Sequence, residues 1–255
     1  MRELLGIFRL GVFLLTAMAT IVIQSVTMLF TKGPACLVYP RFYYAFLCRL
    51  FGLKVIVDGE IETGPNIVYA GNHVSYLDIE VLGGILRGSF VAKKDVERWP
   101  FFGLMAKMQR TVFISRNPTH AAKETDAIRA RLREGLPLIV FPEGTSSIGK
   151  EIYPFKTSFF QIFLNQNINI QPFTINILSV DGKTADSDSV RDLYAWHGDM
   201  TLLPHLWSFA KGKGAIVKVV FQKSIPANCY HDRKELSAIC HDAVVKGLDL
   251  SPAAA

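Results

Sequence analysis

The sequence has no C-x-x-C pair, and its four cysteines, Cys36, Cys48, Cys229 and Cys240, fall at spacings that suit neither a zinc site nor a disulfide framework. They read as reduced and inert, which fits exposure to the cytosol, and no metal is expected. No G-x-S-x-G occurs, so the strained nucleophile elbow of a serine hydrolase is excluded. There is no RNP, zinc-finger or helix-turn-helix signature, and the basic residues do not form one block. A nucleic-acid partner is therefore not expected. Internal repeats are absent, and low complexity is confined to the trailing SPAAA.

The longest absence is of charge. Residues 11–30 (GVFLLTAMATIVIQSVTMLF) carry none over twenty positions, about the length a helix needs to cross a bilayer. The run is long for a signal-peptide core and no A-x-A cleavage site follows it, so a retained anchor is expected. Arg2 and Arg9 precede the run and Lys32, Arg41 and Arg49 follow it. Positive charge on both sides sets no orientation. Residues 34–53 mix six aromatic rings with Arg41 and Arg49, as an interfacial helix does. Residues 1–53 thus read as a membrane-anchoring segment, a spanning helix or a helix pair that dips in and returns, and residues 54–255 as the folded domain.

What is present agrees with a lipid-facing protein. Half of the 255 residues are hydrophobic, and the formal net charge is +6. Such a chain suits an anionic membrane surface or a phosphate-bearing substrate. From residue 54, short apolar runs at 66–71, 89–93, 111–115, 137–142, 169–179 and 215–222 read as strands. Helical stretches are expected at 76–86, 100–108, 119–134, 157–165 and 232–247, the last opened by Asp232 with Glu235 three residues on. The alternation predicts an α/β fold with a largely parallel sheet flanked by helices. Residues 181–200 interrupt it as a polar surface excursion.

Candidate chemistry clusters at strand ends, where open α/β sheets bind ligands. His73 follows the apolar run 67–71, and Asp78 stands five residues later. On one continuous helix that spacing turns the two side chains about 140° apart. They meet only if His73 sits on a turn before a helix start, with Ser75 a plausible cap. A histidine held in one tautomer by a carboxylate deprotonates hydroxyls, but a histidine that merely caps a strand end fits the pattern equally well. Glu143, in Phe141-Pro142-Glu143-Gly144-Thr145, ends another apolar run. By itself that pentapeptide reads as an ordinary turn with an exposed glutamate. Between residues 87 and 133, eleven basic residues face four Asp or Glu before position 134. Lys93 and Arg116 each close an apolar run there, and each is either surface charge or a grip on an anionic head group.

Together and in this order, these segments resemble the glycerolipid acyltransferase family, best known from 1-acylglycerol-3-phosphate acyltransferases. His73 and Asp78 match its H-x4-D motif within NHVSYLD. Lys93, Pro100, Gly103, Phe113, Ile114 and Arg116 match its second block, residues 141–145 its F-P-E-G-T block, and Pro172 its proline-centred fourth block. The resemblance implies that His73 takes a proton from a lysolipid hydroxyl, that the alkoxide attacks the thioester of acyl-ACP or acyl-CoA, and that Asp78 orients the imidazole. Lys93, Arg116, Glu143, Gly144 and Thr145 would bind the acceptor. No cofactor is implied, and an inner or cytoplasmic membrane, with the catalytic domain facing the cytosol, is expected. The leading acceptor is 1-acylglycerol-3-phosphate, giving phosphatidate. One departure bears on this: the family's third block often continues with arginine, and here Ser146 stands in its place. Loss of that cation leaves lyso-ornithine lipid as the alternative acceptor, unless Lys150 or Lys156 substitutes. A non-catalytic membrane-binding module is the rival from another class.

Overall fold

The computed structural model describes residues 1–115 and 121–250. At its centre lies a mixed sheet of β1 (Leu53–Asp58), β2 (Ile67–Gly71), β3 (Ser89–Lys93), β4 (Val112–Ile114), β5 (Leu138–Val140), β6 (Asn169–Val180) and β8 (Ala215–Phe221) in the order β1-β8-β6-β2-β5-β3-β4. Two short strands, β7 (Lys183–Thr184) and β9 (Ile225–Pro226), pair with β6. Along the main path only the β6–β8 pairing is antiparallel. The expectation of a largely parallel sheet flanked by helices is met.

The strands carry the patterns their places require. All five residues of β2 are buried, as in a parallel strand covered on both faces. Its side chains alternate between two cores: Tyr69 enters one with Phe173 and Val217, and Val68 and Ala70 enter the other with Leu138 and Ile170. In β8 buried and half-buried positions alternate without a break. The covering helices are α3 (Asp78–Ile85), α4 (Phe102–Met108), α5 (Ala121–Arg133) and α9 (Arg233–Lys246). At the start of α9 the Asp232 carboxylate accepts from the Lys234 backbone N–H at 2.6 Å, as its cap pattern predicts.

Three stretches differ from expectation. Residues 157–165 form one helical turn, α6 (Thr157–Phe160), and not a full helix. Between 181 and 200 lies α7 (Asp188–Arg191), followed by the fully buried Tyr194 and Ala195, so this polar stretch is not a surface excursion. The aromatic segment folds as α2 (Val38–Phe51), which buries Tyr44, Leu47 and Phe51 in the main core and turns Phe42 outward. The N-terminal run is α1 (Arg2–Phe30), long and apolar enough to cross a membrane. It packs on α2, on α4 and on α8 (Leu202–Ala210).

Because β2, β5, β3 and β4 run in the same direction, the residues after Gly71, Val140, Lys93 and Ile114 emerge at one edge of the sheet. That edge carries the candidate site residues.

Candidate active site

Beyond Gly71 the chain turns before α3 begins at Asp78. Asn72 fixes this turn by extending the strand pairing with a side chain. Its amide donates to the Ile175 carbonyl at 3.0 Å, and its amide oxygen accepts from the Ile175 N–H at 2.7 Å. His73 therefore sits on a turn and faces back onto the start of α3. Its Nδ1 lies 2.8 Å from Asp78 Oδ2. The same oxygen accepts the backbone N–H groups of Val74 at 2.7 Å and Ser75 at 3.0 Å. Asp78 Oδ1 accepts the Tyr194 hydroxyl at 3.0 Å. Asp78 is fully buried, so four donors and the N-terminal end of α3 offset the cost of burying its charge. Ser75 caps the turn: its hydroxyl accepts from the Leu77 N–H at 3.3 Å.

An acceptor-only carboxylate at Nδ1 assigns the ring proton of neutral His73 to that nitrogen, leaving Nε2 with its lone pair. The side chain keeps 22% of its surface exposed, and among the described residues nothing hydrogen-bonds Nε2. The ring stacks on Phe141, with centroids 4.0 Å apart and planes 14° apart. Further on, the Ser147 N–H donates to the His73 carbonyl at 2.9 Å. The H-x4-D turn and the F-P-E-G-T loop are thereby fastened together.

Glu143 is 4% exposed, and neither carboxylate oxygen has a hydrogen-bond partner. This is not the exposed turn glutamate that the pentapeptide alone suggests. Burial, with the Asp78 charge second, pushes its carboxyl up to about 8; the His73 and Tyr153 backbone amides face it and pull weakly the other way, outside hydrogen-bonding geometry. Gly144 turns with φ +68, and a Cβ there would collide with Lys156 Nζ. The glycine thus leaves room for the Lys156 side chain. Thr145 is exposed. Ser146 donates its hydroxyl to the Trp196 carbonyl at 2.5 Å, and Lys150 forms an ion pair with Asp188.

Lys93 ends β3, separated from β2 by β5, which puts it on the order of 10 Å away across the sheet. Arg116 lies outside the described residues, just beyond β4. The structure thus brings together His73, Asp78, Glu143 and Gly144, with Lys93 farther along the same edge. Asn72 and Phe141 stood inside the quoted motifs with no role assigned to them. Tyr194 had no signal at all: it contacts Asp78 across 116 positions of sequence.

The Acyltransferase family model matches residues 53–176. A lyso-ornithine lipid O-acyltransferase of Rhizobium meliloti (strain 1021) is 33% identical over 217 residues, covering 82% of this chain and 74% of that protein. A 1-acyl-sn-glycerol-3-phosphate acyltransferase of Neisseria gonorrhoeae is 31% identical over 178 residues, 67% of each. The crystal structure of the 1-acyl-sn-glycerophosphate (LPA) acyltransferase PlsC from Thermotoga maritima aligns over 97% of this chain and 96% of its own, with a TM-score of 0.71 at 18% identity. At that identity the likeness concerns the fold. The chain belongs to the acyltransferase family. It is an enzyme of the 1-acylglycerol-3-phosphate acyltransferase type, a lysolipid acyltransferase, and not a non-catalytic binding module.

Proposed function

We propose that His73 is the general base of acyl transfer to a lysolipid hydroxyl, with Asp78 as its orienting carboxylate. The observation that carries this is the 2.8 Å contact between His73 Nδ1 and the fully buried Asp78. Nε2 removes the proton from the acceptor hydroxyl while the oxygen attacks the acyl thioester carbonyl. Asp78 stabilises the imidazolium, which returns its proton to the departing thiol of acyl-ACP or acyl-CoA. The nucleophile is the substrate's own oxygen, so no acyl-enzyme forms. Glu143, Gly144, Thr145, Lys93 and Arg116 bind the acceptor. With its carboxyl pushed up to about 8, Glu143 is mostly neutral at pH 7 and can donate a hydrogen bond to the acceptor.

The acceptor we favour is lyso-ornithine lipid, ahead of 1-acylglycerol-3-phosphate, which reverses the order given by sequence. Two observations support the change. Ser146, where the family's third block often has an arginine, spends its one donor on Trp196. Lys150, a candidate substitute, is engaged by Asp188. An ornithine head group carries a carboxylate and an ammonium but no phosphomonoester, so it loses less when that arginine is missing. Lys156, beside Gly144, is the cation that would support the phosphate reading. The test is acyl transfer by membranes carrying the protein, with labelled acyl-ACP and acyl-CoA and both lysolipids in parallel. Ornithine lipid is the expected main product. Phosphatidate as the main product would overturn the acceptor, and transfer by His73→Ala would overturn the base.

The enzyme works at a membrane through residues 1–53, with the catalytic domain facing the cytosol. We further propose that α1 lies along one leaflet and does not span the bilayer. Contacts with the domain support this at both ends of the helix: Arg2 pairs with Asp181 and Glu3 with Lys211, while Gln24 donates to the Met108 carbonyl. Its other face exposes Leu4, Phe8, Leu15, Val22, Leu29 and Phe30.

A further inference from the structure

We infer that Tyr194 is a positioning residue for acyl transfer, its hydroxyl holding one oxygen of Asp78 so that the other stays on His73. The inference rests on the reading of His73 and Asp78 as the reacting pair. Tyr194 has no exposed surface, and its hydroxyl lies 3.0 Å from Asp78 Oδ1. All the other donors to this carboxylate, His73 Nδ1 and the Val74 and Ser75 amides, converge on Oδ2. Oδ1 therefore depends on Tyr194 alone among the described residues. Burial and the Asp78 charge hold the phenol well above its ordinary range, so it keeps its proton and donates.

The segment that carries Tyr194 is built to hold that hydroxyl in place. The Trp196 backbone N–H donates to the Val74 carbonyl at 2.9 Å, within the His73 turn. Ser146 donates to the Trp196 carbonyl at 2.5 Å, and the buried Arg191 donates to the Gly149 carbonyl at 3.1 Å, both just after the F-P-E-G-T loop. The Tyr194 ring packs edge-on against Phe209 at 6.1 Å. Core filling accounts for the ring. It does not account for a hydroxyl, costly to bury unpaired, aimed at the charged oxygen of the orienting carboxylate.

Tyr194→Phe keeps the ring and removes the donor. Measured on the full-length protein in detergent, kcat should fall roughly tenfold, as for loss of one hydrogen bond to a charged group, with KM for the acyl donor unchanged. By 15N-histidine NMR, the fraction of neutral His73 carrying its proton on Nε2 should rise, which a merely structural defect would not produce. Parental kcat would overturn the proposal, and so would a fall in kcat with the tautomer ratio unchanged. Should the Phe variant fail to fold, 3-fluorotyrosine at position 194 preserves the shape and strengthens the donor. The hydrogen-bonded Nδ1 proton of His73 should then move upfield, and an unmoved resonance would overturn the proposal. The NMR readings need no turnover, so they remain decisive if His73→Ala proves active and the base assignment falls.

Discussion

At the scale of single residues, the site separates two buried carboxyls by the donors each is given. Asp78 has four; Glu143 has none and is pushed up to about 8. A second negative charge beside Asp78 is the state that the fold disfavours. Activity should therefore fall as pH rises through about 8, where Glu143 ionises. Glu143→Gln, neutral at every pH, should flatten that limb of the rate–pH profile, and an unchanged limb would show that another group titrates there. Stability follows with the same sign. A carboxyl raised in the folded state stabilises fully below its ordinary 4.5, and the contribution is lost as pH climbs to about 8. The unfolding midpoint should decline over that window, and less steeply in Glu143→Gln. Some slope will remain, because Glu80, half-buried with Oε2 shut away from any partner, is also pushed up to about 8 by burial.

At the scale of elements, Arg9 shows how one charge sets the place of a helix. It stands just before the uncharged run, where sequence reads it as a flanking positive charge. In the fold it is buried, and its Nη1 donates to the Ala210 carbonyl at 3.1 Å and the Gly212 carbonyl at 2.7 Å, at the C-terminal end of α8. Carbonyls left open at a helix end favour a cation. Arg9→Leu should cost about 1.5–3 kcal/mol and lower the thermal midpoint in detergent by roughly 3–10 °C. An unchanged midpoint would mean that the apolar contacts of α1 suffice. The same comparison marks what the sequence could tell. Strands β2 to β6 and β8 were legible as apolar runs, continuous in β2, β5 and most of β6 because both faces of those strands are buried, and His73, Asp78 and Glu143 because they follow such runs. β1 was missed: its apolar run, Val55 to Val57, is only three residues long, and at the end of the strand order it leaves Lys54 and Ile56 to Asp58 exposed. Tyr194 and the fastening of residues 188–196 over the site were illegible for another reason. They depend on contacts across the chain, and no local period encodes those.

At the scale of the whole molecule, the question is how this body meets a bilayer. A helix of 29 residues is about 43 Å long, and a bilayer's hydrocarbon core is about 30 Å thick. If α1 crossed it, the contacts of Arg2 and Glu3 at one end and of Gln24 at the other would oblige the domain to follow the helix through the membrane. The domain's charged surface makes that untenable. Lying along one leaflet keeps every contact and sinks only the exposed apolar face, about as deep as interfacial helices sit. Spin labels at Leu4 and Leu29, both exposed, separate the two arrangements. In a leaflet-bound helix, both labels should be relaxed to similar extents by oxygen dissolved in the acyl region, with similar apparent depths measured from the same side. A spanning helix would place them near opposite faces, with one label reached by a membrane-impermeant nickel chelate added outside sealed inverted vesicles and the other protected. That outcome would break the contacts of α1 with the domain or move the domain itself.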